Sequence, residues 1–473
     1  MSAKFTRIKL LLRKAIYILA ILQTTVLISC KKFLDIAPPK TQIVSALVFS
    51  NDATATSAVR GIYSQMTSDN GFGSGNPGSI TFLAGYSSDE LNNYTTDADY
   101  MSFYANAILP NNSLLFSGLW QEPYNYIINA NSAIEGLSNS TGVTSATKNQ
   151  LTGEAKFIRA FCNFYLVNLF GDVPLITSTD YRVNSSASRT PKSQVYQQII
   201  QDLKDAESLL SNDYSFSNEE RVEPNRWAAS ALLARVYLFS GDWQNAEQSS
   251  TDVINNSMYS LCPDLNNVFL KNSSEAIWQL KPTSVVNNTN EGFSFILTSS
   301  PSFATLSNQL LNSFETGDNR KISWVQNFAI GMDTFYYPYK YKIKTGNPPL
   351  NEYSMVLRLA EQYLIRAEAK VEQNDISGGQ SDLNIIRNRA GLPNTTADIQ
   401  PSLLSAILHE RQTELFTEWG HRWLDLKRTG TIDMVMSSVT QQKGNTWNTN
   451  QSLYPIPQSE VINDKNLTQN PGY

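Results

Sequence analysis

Apolar side chains recur every three to four positions along most of the chain, which is the spacing of amphipathic helices. Two short runs, 276–280 and 336–343, are instead typical of β-strands. The pattern therefore predicts a mainly α protein with a few short strands. The helices predicted from this spacing cover residues 120–136, 146–170, 195–210, 303–314 and 402–418.

A tetratricopeptide-like helix pair is the clearest repeat in the pattern. Small residues stand where two helices would touch, an aromatic lies between them, and a glycine marks the turn. A weaker copy covers 364–391, and residues 157–170 fit a third. Long irregular segments separate the copies, so we expect a helical scaffold with loop-rich insertions. The positions that define the first copy are Leu233, Ala234, Tyr237, Gly241 and Ala246.

Two segments lack helical spacing and are predicted to be loops. Residues 71–78 hold four glycines and a proline, but no Gly-Lys-Ser/Thr follows them, so we interpret them as a flexible surface loop and not as a phosphate loop. Residues 85–104 carry many tyrosines, asparagines and aspartates with poor periodicity.

The N-terminal pattern is that of an export signal. A basic leader precedes an apolar segment, 15–28, that is too short to span a membrane. Leu27-Ile28-Ser29-Cys30 resembles a bacterial lipobox, in which the cysteine is lipidated. We expect residues 1–29 to be a lipoprotein signal peptide and Cys30 to carry the membrane anchor.

Charge and composition narrow the class of ligand. The leader holds five of the 37 basic residues, which leaves 32 basic and 42 acidic residues and a net charge near −10. This balance disfavours nucleic acid as a partner. Aromatic residues make up 11% of the chain and charged ones only 17%, which suits neutral, hydroxyl-rich ligands.

Motifs for catalysis or metal binding are weak. His409 and His421 lack metal-ligand spacing, and no Gly-x-Ser-x-Gly elbow is present. We therefore predict no catalytic residue and no metal ligand. Carboxylates are numerous enough that a glycosidase-type pair stays open. We expect Cys162 to be a buried apolar residue and Cys262 to lie in a loop, and their pairing stays open.

Charged groups in the C-terminal third are expected to be structural. Arg411, Glu414 and Glu418 fall at helical spacings where they can pair with one another. Arg387 and Arg389 could tie a helix end to neighbouring acids, as could two further charged residues, Arg422 and Asp425. An anion site built from these groups is the open alternative.

Several segments together resemble the SusD/RagB family of surface glycan-binding lipoproteins, in family order and over nearly the whole exported chain. The N-terminal match, 120–131 and 154–174, is looser. The most specific segments are Gly317-Asp318-Asn319-Arg320, Arg358 to Ala369, Asn384-Ile385-Ile386-Arg387-Asn388-Arg389-Ala390-Gly391, Glu410-Arg411 with Gly420-His421-Arg422-Trp423, and the tail Gln469-Asn470-Pro471-Gly472-Tyr473.

The resemblance implies a non-catalytic protein of tetratricopeptide-like helix pairs. Such a protein is anchored in the outer membrane and faces outward, and it passes oligosaccharide to a SusC-like TonB-dependent transporter. It further implies a SusD-like N-terminal region over 30–270 and a SusD/RagB C-terminal region over 271–473, within one body. No cofactor is indicated, and whether calcium assists is left open.

Glycan contacts are expected on loops of the first quarter and the middle of the chain, where the family binds its ligands. Sugar C–H faces lie on exposed aromatic rings, and sugar hydroxyls seek amides and carboxylates. Among the candidates, Tyr94 and Trp324 lead. The candidates are Tyr86, Asp89, Asn92, Asn93, Tyr94, Tyr100, Phe293, Phe295, Trp324, Phe335 and Tyr336.

Two other functions stay open at this point. A helical glycoside hydrolase would cleave a glycan through a carboxylate pair. A tetratricopeptide scaffold would bind only protein.

Overall fold

The structure is a computed structural model that describes residues 7–9, 45–68, 71–283, 288–346 and 349–473. Cys30 and most of the leader lie outside the described residues. The chain divides into two compact units, Met1–Leu47 and Val48–Tyr473. Everything below concerns the second unit, apart from the helix Ser45–Val48 at the boundary.

The unit is mainly helical, as the sequence predicts. A π-helical stretch, Leu115–Gln121, leads into α5. The helices are α1 Ser45–Val48, α2 Asp52–Met66, α3 Ile80–Ser87, α4 Ala98–Tyr104, α5 Glu122–Asn139, α6 Ser145–Phe170, α7 Tyr181–Asn184, α8 Lys192–Leu209, α9 Arg226–Ser240, α10 Trp243–Ile254, α11 Asn290–Phe295, α12 Asn308–Ser313, α13 Asn319–Trp324, α14 Leu359–Glu372, α15 Ile376–Arg389, α16 Gln400–Glu414, α17 His421–Arg428, α18 Ile432–Gln442 and α19 Gln458–Asn463.

The described strands form three separate antiparallel pairs. In each pair the partners are held by ladder hydrogen bonds. The pairs are β1 Leu91–Asn93 with β3 Ala304–Leu306, β2 Ala276–Leu280 with β6 Ser354–Arg358, and β4 Val325–Ile330 with β5 Asp333–Pro338.

The predicted helix pairs are present and stack on one another. Helix α9 pairs with α10 around Gly241, whose φ of 75° suits a residue without Cβ. Helix α14 pairs with α15 and also packs against α10, while α8 packs between α6 and α9. Helices α6, α8, α9, α10, α14 and α15 thus form one stack, and residues 255–358 are an insertion between α10 and α14.

Three sequence-based assignments differ from the structure. The helix predicted over 303–314 begins only at Asn308, because Ala304–Leu306 pairs with β1 as a strand. Many side chains of 85–104 are expected on loops, but only 88–90 and 94–97 are loops, since α3 ends at Ser87, β1 spans Leu91–Asn93 and α4 begins at Ala98. The second predicted strand, 336–343, is displaced, since β5 ends at Pro338.

The glycine-rich segment 71–78 is also not a surface loop, because Phe72 is fully buried. A Cβ on Gly73 would lie 2.5 Å from the Trp419 ring, and one on Gly75 would lie 2.1 Å from the Glu291 side chain. Glycine is therefore required by close packing at these positions.

A buried ion network joins the insertion to the C-terminal helices. We use this name for Arg320, Arg358, Arg389, Glu414 and Glu418. Arg358 Nη1 donates to Glu414 Oε1 at 2.6 Å and its Nε to Glu418 Oε2 at 2.8 Å, while Arg320 Nη1 donates to Glu414 Oε2 at 3.0 Å. Arg389 also donates to Glu414. Buried charges of this kind require such compensation.

Two further ion pairs bear on the predictions made for Arg411 and Arg387. Arg411 pairs with Asp425 at 2.7 Å and not with Glu414 on its own helix. Arg387 does tie the end of α15 to an acid, Glu315, at 2.6 Å. Each of these two arginines has a carboxylate partner within the protein, so we interpret the groups as structural pairs and not as the open anion site.

Candidate functional site

A two-stranded ladder brings the first quarter and the middle of the chain together. In the β1–β3 pair Leu91 lies opposite Leu306 and Asn93 opposite Ala304. The backbone N–H of Tyr94 continues the ladder by donating to the Phe303 carbonyl at 2.7 Å. Two segments that are about 200 residues apart in sequence thus form one surface.

Four aromatic rings lie on this surface, and we call Tyr94, Tyr100, Phe303 and Phe335 the aromatic surface. Tyr94 meets Phe335 edge-on with 5.7 Å between ring centroids, and Tyr100 meets Phe303 in the same way at 6.0 Å. Tyr94 is 41% exposed and Phe303 37% exposed. Edge contacts hold the rings in place while leaving part of each ring open to solvent.

The β4–β5 hairpin supports this surface from one side. Phe335 lies opposite Phe328, and Tyr336 lies opposite Asn327. Because successive side chains of a strand point to opposite faces, Tyr336 stands on the other face from Phe335. Tyr336 is exposed but does not share the aromatic surface.

A cavity of about 470 Å³ adjoins Phe303 and extends to Phe293. Lys344 borders it, and its ammonium donates to the carbonyls of Phe293 and Ile296 at 2.7 Å each. None of the described residues that line the cavity is acidic. Its polar lining consists of neutral amides and hydroxyls in addition to the lysine: Asn76, Asn290, Ser294, Thr298, Ser299, Ser300 and Ser302.

Two predicted aromatic contacts are buried and offer no ring face to a ligand. Trp324 has an exposed fraction of 0%, and its Nε1 donates to the Leu265 carbonyl at 2.9 Å. Phe295 stacks on Phe82 with 4.1 Å between centroids. Both rings build the core beneath the site, so the expectation that they are exposed is corrected.

Tyr86 and Asp89 are likewise occupied by the protein itself. Tyr86 is fully buried beneath Tyr100, with 6.2 Å between centroids, and burial raises its pKa. Asp89 accepts two hydrogen bonds from Arg422, at 2.8 and 2.7 Å. Asp89 is only 4% exposed, and Gln412 donates to it as well, at 3.3 Å. Its carboxylate is therefore held inside the protein, which corrects the prediction that it contacts a sugar.

The two predicted amides are used within the loop. Asn92 Nδ2 donates to the Leu306 carbonyl at 3.1 Å. Asn93 donates to the carbonyl of Thr95 and accepts from its N–H, both at 3.1 Å. Both amides are only partly buried, and their bonds fix the shape of the turn that carries Tyr94.

Sequence reasoning missed Phe303, the ring that joins the aromatic surface to the cavity. It also missed the hydroxyls of 298–302. The sequence did carry a signal for an irregular segment at 298–302, because Pro301 and the serines around it disfavour a helix.

No group of three or more metal-ligating side chains occurs among the described residues. His409 Nε2 lies 2.8 Å from the Ser313 carbonyl. Burial and the nearby charge of Arg235 hold the pKa of His421 well below its usual range. Both histidines are therefore packing residues in this fold.

Glu90 is a buried carboxyl directly before β1, and it gives a prediction on pH. Burial and the charge of Asp89 raise the pKa of Glu90 to about 8, against the opposing effect of Arg422. A raised carboxyl pKa contributes stability that is complete below about pH 4.5 and is lost as the pH rises through about 8. Glu90→Gln should therefore gain stability relative to the native chain at pH 9 and little at pH 5. Urea unfolding at both pH values measures this, and an equal effect at both would contradict it.

Fold and site together define a tetratricopeptide-like helical protein with a neutral cavity beside an aromatic surface. Two family models match the chain. One is described as "Starch-binding associating with outer membrane" and matches residues 32–238, and one is described as "SusD family" and matches residues 319–473. In the described part of the chain, no helix is long and apolar enough to cross a membrane.

Similar proteins agree with these matches. SusD-like protein P2 of Formosa agariphila is 29% identical over 422 residues, which cover 76% of this chain and 81% of that protein. A solved laminarin-binding SusD-like protein is 26% identical, with a TM-score of 0.74 over 90% of this chain and 100% of that one. Surface glycan-binding protein A from Bacteroides thetaiotaomicron, in complex with laminarihexaose, shares the fold at 20% identity, with a TM-score of 0.75 over 89% of this chain and 99% of that one. The chain belongs to the SusD/RagB family.

Proposed function

We propose that this protein is a non-catalytic, lipid-anchored outer-membrane protein that binds an oligosaccharide and passes it to a SusC-like TonB-dependent transporter. The observation that carries the proposal is the aromatic surface beside a cavity lined by neutral hydroxyls and amides. Two relatives point the same way, since one binds laminarin and one was solved with laminarihexaose.

The chemistry of the surface matches that of a neutral sugar. Pyranose rings present C–H faces that pack on aromatic rings, and Tyr94 and Phe303 are the partly exposed rings available for this. The serine and threonine hydroxyls of 298–302 can both donate to and accept from sugar hydroxyls. Rings and hydroxyls are carried by one ladder and its adjoining loop, so a bound chain could use both.

Binding without cleavage is the function that this lining favours. A glycosidase needs two carboxyl groups about 5–9.5 Å apart around the scissile bond. The described residues that line the cavity include no carboxylate, and Asp89, which is close by in sequence, is held by Arg422. The hydrolase alternative therefore lacks its acid and its nucleophile at this place.

The anchor, the outward orientation and the transporter are proposed from the sequence. Cys30, which follows a short apolar segment, is the proposed site of lipid attachment. The transporter is proposed as a partner because the chain matches the SusD family. The division into a SusD-like N-terminal region over 30–270 and a SusD/RagB C-terminal region over 271–473, within one body, stays a proposal.

Affinity electrophoresis and calorimetry against a glycan panel test the proposal, and the panel should begin with laminarihexaose and starch oligosaccharides. We expect one class of neutral glycan to bind, with no new reducing ends after long incubation. Turnover that a single carboxylate substitution abolishes would overturn the non-catalytic assignment. If no glycan binds while a peptide or protein does, the glycan assignment fails.

A further inference from the structure

A second cavity, of about 590 Å³, lies where α6 ends, α8 begins and the C-terminal tail returns. It shares no lining residue with the cavity beside the aromatic surface. Four cationic side chains line it, together with one acid, Asp172. We call Arg189, Lys192 and Lys427 the basic cluster.

The fourth cation, Arg428, is already neutralised. It pairs with Glu368 at 2.5 Å and with Asp425 at 2.7 Å. Within the described ranges, no member of the basic cluster has a carboxylate oxygen within 4 Å. The cluster thus differs from the buried arginines of the ion network, each of which faces at least two acids.

The groups that do face the cluster compensate only part of its charge. Arg189 donates to four neutral oxygens: the carbonyls of Asp172, Thr468 and Phe170 at 2.7, 3.0 and 3.3 Å, and Asn470 Oδ1 at 2.5 Å. Lys427 donates to the Asn168 carbonyl. The Asn168 and Phe170 carbonyls belong to the C-terminal end of α6, which carries about half a negative charge. Asp172 adds one full charge, but its Oδ1 already accepts the backbone N–H of Lys192 at 2.8 Å. An excess of positive charge remains.

The position of Lys192 adds to this excess. It is the first residue of α8, and no acid occurs in the first turn of that helix. A helix N-terminus carries about half a positive charge, to which the lysine adds its own, and Asp172, bonded to the Lys192 backbone N–H, offsets only part of the sum. Its ammonium makes no hydrogen bond within the described part of the chain and lies 5.5 Å from the Tyr196 ring centroid.

Burial raises the cost of these charges further. It lowers the pKa of Lys427 to about 7, and the charge of Lys192 lowers it as well. Partial desolvation also lowers the pKa values of Arg189 and of Lys192, although the Lys192 side chain is exposed. A bound anion would reverse these shifts, because an opposite charge favours the protonated amine.

We infer that the basic cluster binds an oxyanion, namely a sulfate, phosphate or carboxylate group, in the cavity between α6, α8 and the C-terminal tail. A guanidinium and two ammonium groups on different segments converge on the cavity without carboxylate partners, and its volume exceeds that of a single ion. The oxyanion could be free or could be a substituent of a sugar. The inference does not depend on glycan binding at the aromatic surface.

Thermal unfolding and calorimetry of the full chain test this site, with sodium sulfate, sodium phosphate and sodium glucuronate as probes. Sodium chloride at equal ionic strength and glucose are the reference solutes. We expect at least one oxyanion to raise the unfolding midpoint where chloride and glucose do not, since a ligand of the native state stabilises it. Because sulfate and phosphate also stabilise folded proteins without binding, the source is assigned from saturable calorimetric binding. Binding of glucuronate alone identifies an acidic sugar, and binding of sulfate or phosphate identifies a free ion or an ester.

Lys192→Gln should weaken the dissociation constant of that oxyanion at least tenfold. This variant loses no side-chain hydrogen bond of the described structure, so it should fold. Lys204→Gln, an exposed change on the same helix, is the matched control and should bind like the native chain. The site is disproved if no oxyanion exceeds chloride, or if Lys192→Gln binds as tightly as Lys204→Gln.

Discussion

Glu414→Gln is expected to lower the free energy of unfolding by about 3–5 kcal/mol, because it breaks a buried charge network at its centre. Glu414 accepts hydrogen bonds from Arg358, Arg320 and Arg389. An amide keeps the shape of the carboxylate but leaves three buried guanidinium groups without that charge. The other acids in contact with these arginines are already paired: Glu275 with Arg358 and Arg389, Asp318 and Glu410 with Arg320, and Glu418 with Arg358 and Lys340.

Urea unfolding of the variant and the native chain at pH 7 measures the difference. Arg182→Gln is the control, since the Arg182–Asp180 pair is exposed and exposed pairs contribute little. It should leave the unfolding midpoint unchanged. A loss of less than about 1 kcal/mol in Glu414→Gln would mean that the remaining groups rearrange to neutralise the arginines.

Lowering the pH should also destabilise the protein through Glu414 and its buried ion network. Burial opposes ionisation of Glu414, but Arg389, Arg358 and Arg320 outweigh it and hold its pKa well below the usual range. A lowered carboxyl pKa contributes stability that is present above about pH 4.5 and is lost as the pH falls towards the folded-state pKa. The native chain should therefore lose more stability than Glu414→Gln over that acidic range.

The helical scaffold was predictable from sequence because its signal is local. Spacing of three to four residues and a glycine in the turn define α9 and α10, and the structure confirms them. The charge pairs were less predictable. Arg411 and Glu414 stand three residues apart on α16, yet each is paired with a residue from another element. Spacing on one helix says nothing about the acids and bases that tertiary packing brings against it.

The site was predictable in its segments but not in its side chains. Aromatic residue type does not encode exposure, so the sequence does not distinguish Tyr94 from Trp324 as a ring that contacts a glycan. Trp324 is covered by Phe269 and Phe416, which come from distant parts of the chain. Phe303 was assigned to a helix, because the pairing of β3 with β1 depends on a partner about 200 residues away.

Hydrogen bonds at Asp89 connect the strands that carry the aromatic surface to the C-terminal helices. The Asp89 carbonyl, just before β1, accepts the Ser307 hydroxyl at 2.5 Å, while the Asp89 carboxylate holds Arg422 of α17. The β1–β3 ladder that carries Tyr94 is thereby fixed to the C-terminal helices. The family motifs of the C-terminal half thus build the support beneath the surface, which explains why they do not identify the sugar.

The double variant Tyr94→Ala/Phe303→Ala is expected to weaken the affinity for whichever glycan binds by about 5- to 150-fold. An aromatic contact of this kind is worth about 0.5–1.5 kcal/mol beyond its area, and two rings are removed. Both side chains are partly exposed, and the ladder bond between them uses only backbone atoms. The unfolding midpoint should therefore change little, and calorimetry should report the loss as affinity alone.

Two further variants separate binding from folding in this experiment. Tyr181→Ala removes a tyrosine that is 76% exposed but lies outside the aromatic surface, so it should bind like the native chain. Trp324→Ala should instead lower the free energy of unfolding by about 3–5 kcal/mol, because it truncates a fully buried tryptophan. If the double variant binds as tightly as Tyr181→Ala, the glycan lies elsewhere. If Trp324→Ala loses affinity without losing stability, the buried tryptophan contacts the ligand in a conformation other than this one.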